Sequence, residues 1–252
     1  MKIDYERGMA PKLSVNINKV ATLRNARGGV EPCPIDFAIK AQEYGAQGIT
    51  VHPRPDQRHI RYEDVLKLRD VVHTEFNIEG YPNESFLELV EKVRPEQVTL
   101  VPDPPHILTS NAGWNTREHV QLLSQIVERL HKINARVSIF LDPDPSLIES
   151  AKQSGADRIE LYTESYAKNY AMGNIETALE PYVETAKKAR NVGLQLNAGH
   201  DLNTYNLADF CTAIEGLSEV SIGHALISDC LYWGLEETLK KYLSCLSVDH
   251  LV

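Results

Sequence analysis

A chain of 252 residues, 42% hydrophobic and 24% charged, can bury a full core and lies within the size of one α/β barrel or two smaller domains. Its formal net charge of −9, from 26 basic and 35 acidic residues, argues against the basic face that general nucleic-acid binding requires. No apolar run approaches the ~20 residues of a membrane span, and Met1-Lys-Ile-Asp-Tyr-Glu-Arg7 lacks a signal-peptide core, so a cytoplasmic, non-membrane protein is expected.

The first strand expected is Leu13–Ile17. It runs into Asn16-Ile-Asn18-Lys-Val-Ala-Thr-Leu-Arg-Asn-Ala-Arg27, not the G-x-G-x-x-G turn of a dinucleotide-binding doubly wound sheet. Strands follow at Gly48–His52, Phe76–Gly80, Gln97–Pro102, Arg136–Asp142, Arg158–Tyr162, Gly193–Ala198 and Glu219–Gly223. Helical spacing occupies Pro34–Tyr44, Tyr62–Thr74, Asn83–Val93, Thr116–Ile133, Pro145–Ser154, Ile175–Val192, Leu207–Ile214 and Ile227–Cys245. Gly45 and Gly155 supply the glycine expected between a helix and the next strand. Eight strands alternating with eight helices, with no Pro/Gly/Ser-rich linker, predict a single-domain (β/α)8 TIM barrel. The apolar face of the last helix is expected to serve partly the barrel and partly an interface.

In such a barrel the residues that end the strands converge on one rim, so Asn16, His52, Glu79, Thr99 to Asp103, Asp142, Glu160, Tyr162, His200 and His224 become neighbours. Three histidines and a glutamate there suit multistep proton transfer near neutral pH. Glu79, one residue before Gly80-Tyr-Pro82, could instead cap the next helix, and Glu160 could point into the barrel. Phosphate is expected on the loops after strands seven and eight, Gly199-His200-Asp201-Leu202 and Gly223-His224-Ala225-Leu226. The Asp201 side chain would repel it, leaving its backbone amide or a substrate amine as the contact. Arg27, Arg54 and Arg58 offer a second set of anion contacts after strands one and two. Two anionic ends imply one bisphosphate or two monophosphate substrates.

Cys33, Cys211, Cys230 and Cys245 show no C-x-x-C spacing and read as ordinary thiols. Without H-x-H or H-E-x-x-H spacing, and with arginines nearby, a metal-dependent barrel isomerase or hydrolase is disfavoured. A retired barrel that binds a phosphosugar is the other alternative. Strand six ends in Glu160-Leu-Tyr162, not in the lysine of a Schiff-base aldolase.

Val15-Asn16-Ile-Asn18-Lys19-Val-Ala-Thr-Leu-Arg-Asn-Ala-Arg27-Gly, Gly48-Ile-Thr-Val-His52-Pro-Arg54-Pro-Asp-Gln-Arg-His59-Ile60, Asn77-Ile-Glu79, Asn197-Ala-Gly-His200 and Ile222-Gly-His224-Ala together resemble the pyridoxine 5′-phosphate synthase family, over Leu13 to about Leu243. The resemblance implies a barrel enzyme of vitamin B6 synthesis that condenses 3-amino-2-oxopropyl phosphate with 1-deoxy-D-xylulose 5-phosphate, with no metal or organic cofactor, assembled as an octamer, a tetramer of dimers. It implies that His52 accepts a proton, Glu79 is the second acid/base and His200 donates a proton. It also implies that Asn16, Arg27, Asp201, Gly223 and His224 hold the amino-ketone phosphate, and that Arg54, His59 and Thr109 hold the deoxyxylulose phosphate. The chain departs from the family pattern at Asn18-Lys19, where many members have Asp-His, in the loop Thr109-Ser-Asn-Ala-Gly113, and at Asp201, elsewhere a glycine.

Overall fold

The computed structural model describes residues 10–102 and 112–247. Eight parallel strands, β1 (Lys12–Asn16), β2 (Gly48–Val51), β3 (Glu75–Gly80), β4 (Gln97–Leu100), β5 (Arg136–Leu141), β6 (Arg158–Tyr162), β7 (Gln195–Gly199) and β8 (Leu217–Ile222), close a barrel in sequence order, with β8 pairing back onto β1. The expected (β/α)8 barrel is therefore present, with β6 as expected and the other strand limits moved by at most two residues. At β8 the move has a visible cause. Leu196 pairs with Leu217 and Asn197 with Glu219, so Ser218 is an extra residue and the strand starts earlier than its apolar run.

The outer layer contains α1 (Asn18–Arg27), α2 (Pro34–Glu43), α3 (Tyr62–Val71), α4 (Glu84–Val93), α5 (Thr116–His131), α6 (Ile148–Gln153), α7 (Glu164–Ala171), α8 (Ile175–Asn191), α9 (Leu207–Ala213), α10 (His224–Trp233) and α11 (Leu235–Leu246). Gly45 and Gly155 adopt φ of 102° and 85°, the left-handed turn between helix and strand that a side chain would strain. Two helices differ from the sequence expectation because they lack an apolar stripe. In α1 the buried face is Val20, Ala21 and Arg24, and α7 buries only Tyr166. The single last helix expected over Ile227–Cys245 is two helices. Gly234, at φ 76° and ψ 162°, occupies a region open essentially to glycine and divides α10 from α11.

Alternation along the strands sorts the core into two kinds. Outward residues such as Leu13, Val15, Ile49, Val51, Phe76 and Ile78 join the apolar layer between barrel and helices. Inward residues are polar through most of the barrel: Ser14 shares a 2.7 Å hydrogen bond with Thr50, and Thr99 donates to Asn77 at 3.1 Å. Below these lies an ionic cluster. Arg158 meets Glu219 at 3.2 Å and Glu75 at 3.6 Å and donates to Gln97, Asn197 and Gln195, while Arg136 also binds Glu75. Burial alone would raise the Glu75 carboxyl, but hydrogen bonds from Glu219 and Arg136 and both arginine charges bring it below the usual range. Glu219 moves the opposite way, because burial and the neighbouring Glu75 charge favour its protonated form.

Removing one member of a buried ion pair leaves its partner unpaired, which costs about 3–5 kcal/mol. Arg158→Ala should lose that much stability, read as a lower urea midpoint with an unchanged slope. An unaltered midpoint would mean that the cluster does not hold the barrel together.

Candidate active site

The C-terminal ends of β1, β2 and β3 bring Asn16, His52 and Glu79 to one part of the rim. The Asn16 amide donates to Glu79 Oε2 at 3.4 Å, and its Oδ1 accepts the Asn18 N–H at 3.1 Å. Because α1 begins immediately after β1, the strand offers no further ladder acceptor; Asn18 Oδ1 takes the His52 N–H instead, at 2.9 Å. Helix capping is not the role of Glu79. Asn83 caps α4 by accepting from Phe86 N at 2.9 Å.

The electrostatics divide these groups. Burial, followed by the charges of Arg54, His59 and Arg58, holds His52 well below the ordinary imidazole value, so it is a neutral base at pH 7. Burial also raises Glu79 to about 8, with the Glu219 charge adding and Arg54 opposing. Glu160 points into the barrel, where Thr99 donates to Oε2 at 3.4 Å. Burial and the charge of Glu79 raise it to about 8 as well. Two carboxyls with mutually repelling charges thus keep a proton available at neutral pH.

Across the rim, His200 follows β7 at φ 91°, an uncommon conformation for a residue with a side chain. Its Nδ1 lies 2.7 Å from Asp201 Oδ2, and its ring meets the Tyr162 ring edge-on at 5.5 Å. Burial would lower His200, but the Asp201 carboxylate, with Glu160 and Glu164, outweighs it and raises the imidazole above its ordinary value. His200 is therefore the rim imidazole best able to arrive protonated. Thr163 braces this turn by donating to Gly199 O at 2.5 Å and accepting the Asp201 N–H at 3.2 Å. A Cβ on Gly199 would stand 2.5 Å from Ser221 O and 3.0 Å from Glu160 Oε1, so the strand end must be glycine.

Gly223 packs against Asn16, with a built Cβ only 3.2 Å from Asn16 Cβ and Cγ. His224 is exposed and opens α10, whose first N–H groups have no partner within the helix. Arg54 is buried beside His52, and together with Tyr81, Asn83 and Phe86 they line a small cavity. His59, half-buried, accepts the Ile60 N–H at Nδ1 at 2.9 Å, which leaves the proton of the neutral ring on Nε2. Burial, then Arg54, Lys19 and Arg58, lowers His59 to about 4. Arg27 ends α1 exposed to solvent. Thr109 and Asp103 lie outside the described residues. Among the described residues, no three His, Cys, Asp or Glu side chains are grouped to hold a metal ion, and no helix is long and apolar enough to cross a membrane.

Residues 13–248 match the family model of the pyridoxal phosphate biosynthesis protein PdxJ. The chain belongs to the PdxJ family. A pyridoxine 5′-phosphate synthase from Bacteroides thetaiotaomicron is 56% identical over 235 residues, covering 93% of this chain and 99% of that protein. The synthase of Cytophaga hutchinsonii is 53% identical over 232 residues, covering 92% and 97%. Solved structures of the same fold include thiamine phosphate pyrophosphorylase from Pyrococcus furiosus, with a TM-score of 0.61 at 15% identity over 93% of this chain and 95% of that one. Tryptophan synthase from M. tuberculosis gives a TM-score of 0.63 at 11% identity, covering 94% of each chain.

Within this PdxJ barrel, Asn18 and Thr163 are contacts that strand-end reasoning does not find. Neither carries a charge or a ring, and each acts on a backbone group. The ladder gap after β1 is a signal for Asn18, since a chain that turns at once into a helix leaves the next strand's N–H without a partner.

The His200–Asp201 pair generates a pH prediction. A carboxylate beside an imidazole favours the protonated ring, so Asp201→Asn lowers the His200 pKa. The alkaline limb of kcat/KM, where a catalytic His200 loses its proton, should move to lower pH while the acid limb stays in place. A profile unchanged in both limbs would remove His200 as the titrating acid.

Proposed function

We propose that this PdxJ-family barrel is a pyridoxine 5′-phosphate synthase, joining 3-amino-2-oxopropyl phosphate to 1-deoxy-D-xylulose 5-phosphate and releasing pyridoxine 5′-phosphate, inorganic phosphate and water. The observation that carries the reading is the set of separated protonation states at one rim of a PdxJ barrel: neutral His52, proton-holding Glu79 and raised His200.

The chemistry requires an amine to attack a ketone, water and phosphate to leave, and a ring to close and aromatise. Every step moves a proton, and no electrons are exchanged with an outside reagent. In this reading His52 removes protons from the carbon skeleton, since its neutral ring is a base at pH 7. Glu79 passes protons in either direction because its raised carboxyl lies close to the working pH. His200 protonates a departing oxygen, its charge supported by Asp201. The imine forms between the two substrates, so the enzyme need not supply a lysine.

Asn16, Arg27, Asp201, Gly223 and His224 are assigned to the amino-ketone phosphate. The close approach that Gly223 permits and the first turn of α10 support a phosphate there. Asp201 is bound to His200 through its carboxylate and to Thr163 through its N–H, so its part is to hold the proton donor and meet the substrate amine. Arg54, His59 and Thr109 are assigned to deoxyxylulose phosphate. The charges of Arg54, Lys19 and Arg58 around His59 support an anion at that place. The reading includes an octamer in the cytoplasm. Exposed apolar side chains on α10, Leu231 at 71% and Tyr232 at 85%, support an interface between copies, and a monomeric mass by light scattering would remove the octamer.

Purified protein mixed with both substrates should form pyridoxine 5′-phosphate and free phosphate in equal amounts. His52→Ala, Glu79→Ala and His200→Ala should each lower kcat by about 10²–10⁴-fold. Tight binding of either substrate without turnover would replace this reading with a phosphosugar-binding barrel.

A further inference from the structure

Between α1 and the loop that carries Arg58 and His59 lies a knot of hydrogen bonds that touches none of the acid/base groups. Arg24, 4% exposed, makes a two-pronged pair with Asp64 at 2.7 and 2.9 Å and donates to His59 O at 3.1 Å. Asp64 in turn accepts the Arg61 N–H at 2.8 Å and so fixes the start of α3. At the centre is Asn25. Its Nδ2 donates to His59 O at 2.8 Å and Arg58 O at 3.2 Å, with Gln57 O more distant at 3.5 Å. Its Oδ1 accepts from Arg24 Nε at 3.0 Å and from Arg61 Nη2 at 3.1 Å.

A side-chain amide has two protons and two lone pairs to offer. Asn25 uses all four within the protein, so it has nothing left for a substrate. What it does have is control of the main chain at Arg58 and His59, the first of which lends its charge to the neighbourhood of His52 and the second of which sets its ring 6.2 Å from the His52 ring. The His59 carbonyl is held from both sides, by Asn25 and Arg24, and Ile60 N–H fixes which ring nitrogen bears the proton. Lys19, Arg54 and Arg58 surround that ring, with Asp56 the opposing charge, and Asp56 is paired with Arg58 at 2.6 Å. A donor N–H set among cations suits an anionic ligand and little else.

We infer that Asn25 is a positioning residue for the ketose-phosphate subsite, clamping the 57–60 loop to α1 so that His59 Nε2–H meets the ligand in a fixed place. The inference rests on the assignment of His59 in the preceding subsection. It adds a physical link between the two substrate subsites, because the helix that does the clamping also ends in Arg27.

Asn25→Asp tests it. The carboxylate keeps both acceptors for Arg24 and Arg61 but loses both donors and faces two carbonyl oxygens. With each substrate varied in turn, KM for 1-deoxy-D-xylulose 5-phosphate should rise about tenfold as the loop loses both hydrogen bonds from Asn25, while KM for 3-amino-2-oxopropyl phosphate and kcat change by less than about twofold. Asn25→Ser, which retains one donor, should fall between the two and serves if the aspartate variant folds poorly. Equal losses for both substrates, or a lower melting temperature with both KM values unchanged, would make Asn25 a stability residue only and overturn the inference. His59→Ala is the control that separates the two claims. If it leaves the ketose KM unchanged, the assignment of His59 fails, whatever Asn25 does.

Discussion

Charge placed inside a barrel must be answered by charge or hydrogen bonds, and this chain meets that requirement at one end of the barrel and leaves it partly open at the other. Deep in the barrel, Arg158 and Arg136 are tied to Glu75 and Glu219, and Gln97, Gln195 and Asn197 complete the donors and acceptors. These contacts link β3, β4, β5, β6, β7 and β8, so the strand register and the ionic cluster specify one another. A slip of one residue would turn the arginines toward the helices and put Val137 or Ile159 against the carboxylates.

Nearer the mouth, Glu79 and Glu160 have amide and hydroxyl partners in Asn16 and Thr99, and both hold protons more tightly than a carboxyl in water. The same burial that makes them hold protons makes His52 release one. The mouth then divides by strand. Asn16, His52 and Glu79 stand together at the ends of β1 to β3, the wall to which the proposed mechanism assigns proton transfer. Val101, Phe140 and Tyr162 form a small apolar cluster of their own from β4 to β6, with His200 against Tyr162. Gly199 and Gly223 end β7 and β8. The residues proposed for proton chemistry and those proposed for anion contacts thus lie in separate places around one opening.

Most of the barrel was readable in the sequence because the strands carry their outward apolar residues at every second position and run into a polar residue, a proline or a glycine at or just after their ends. The alternation in Phe76-Asn-Ile-Glu79 and Arg158-Ile-Glu-Leu161 marks a polar interior, and Glu160 belongs to it. The helices α1 and α7 were not legible because their contribution is not a stripe of leucines; α1 buries an arginine that needs Asp64 to be there, and no local pattern announces a partner 40 residues away. The rim histidines and Glu79 were legible from their place at strand ends. Asn18, Asn25 and Thr163 were not, since each works on the main chain of a distant segment. The likeness of long motifs identified the family from sequence, while protonation followed only from burial in three dimensions.

The glycine sector of the mouth limits how this site can change. Where β7 and β8 end, the surface available to a ligand is main chain, because a Cβ at Gly199 would meet Ser221 O and one at Gly223 would meet Asn16. A substitution can recharge or reshape a surface made of side chains, but it cannot alter the chemistry of a peptide N–H. Selectivity there is therefore fixed by the path of the backbone. New preferences would have to arise on the β1 to β6 side of the opening, or in the loops that follow it.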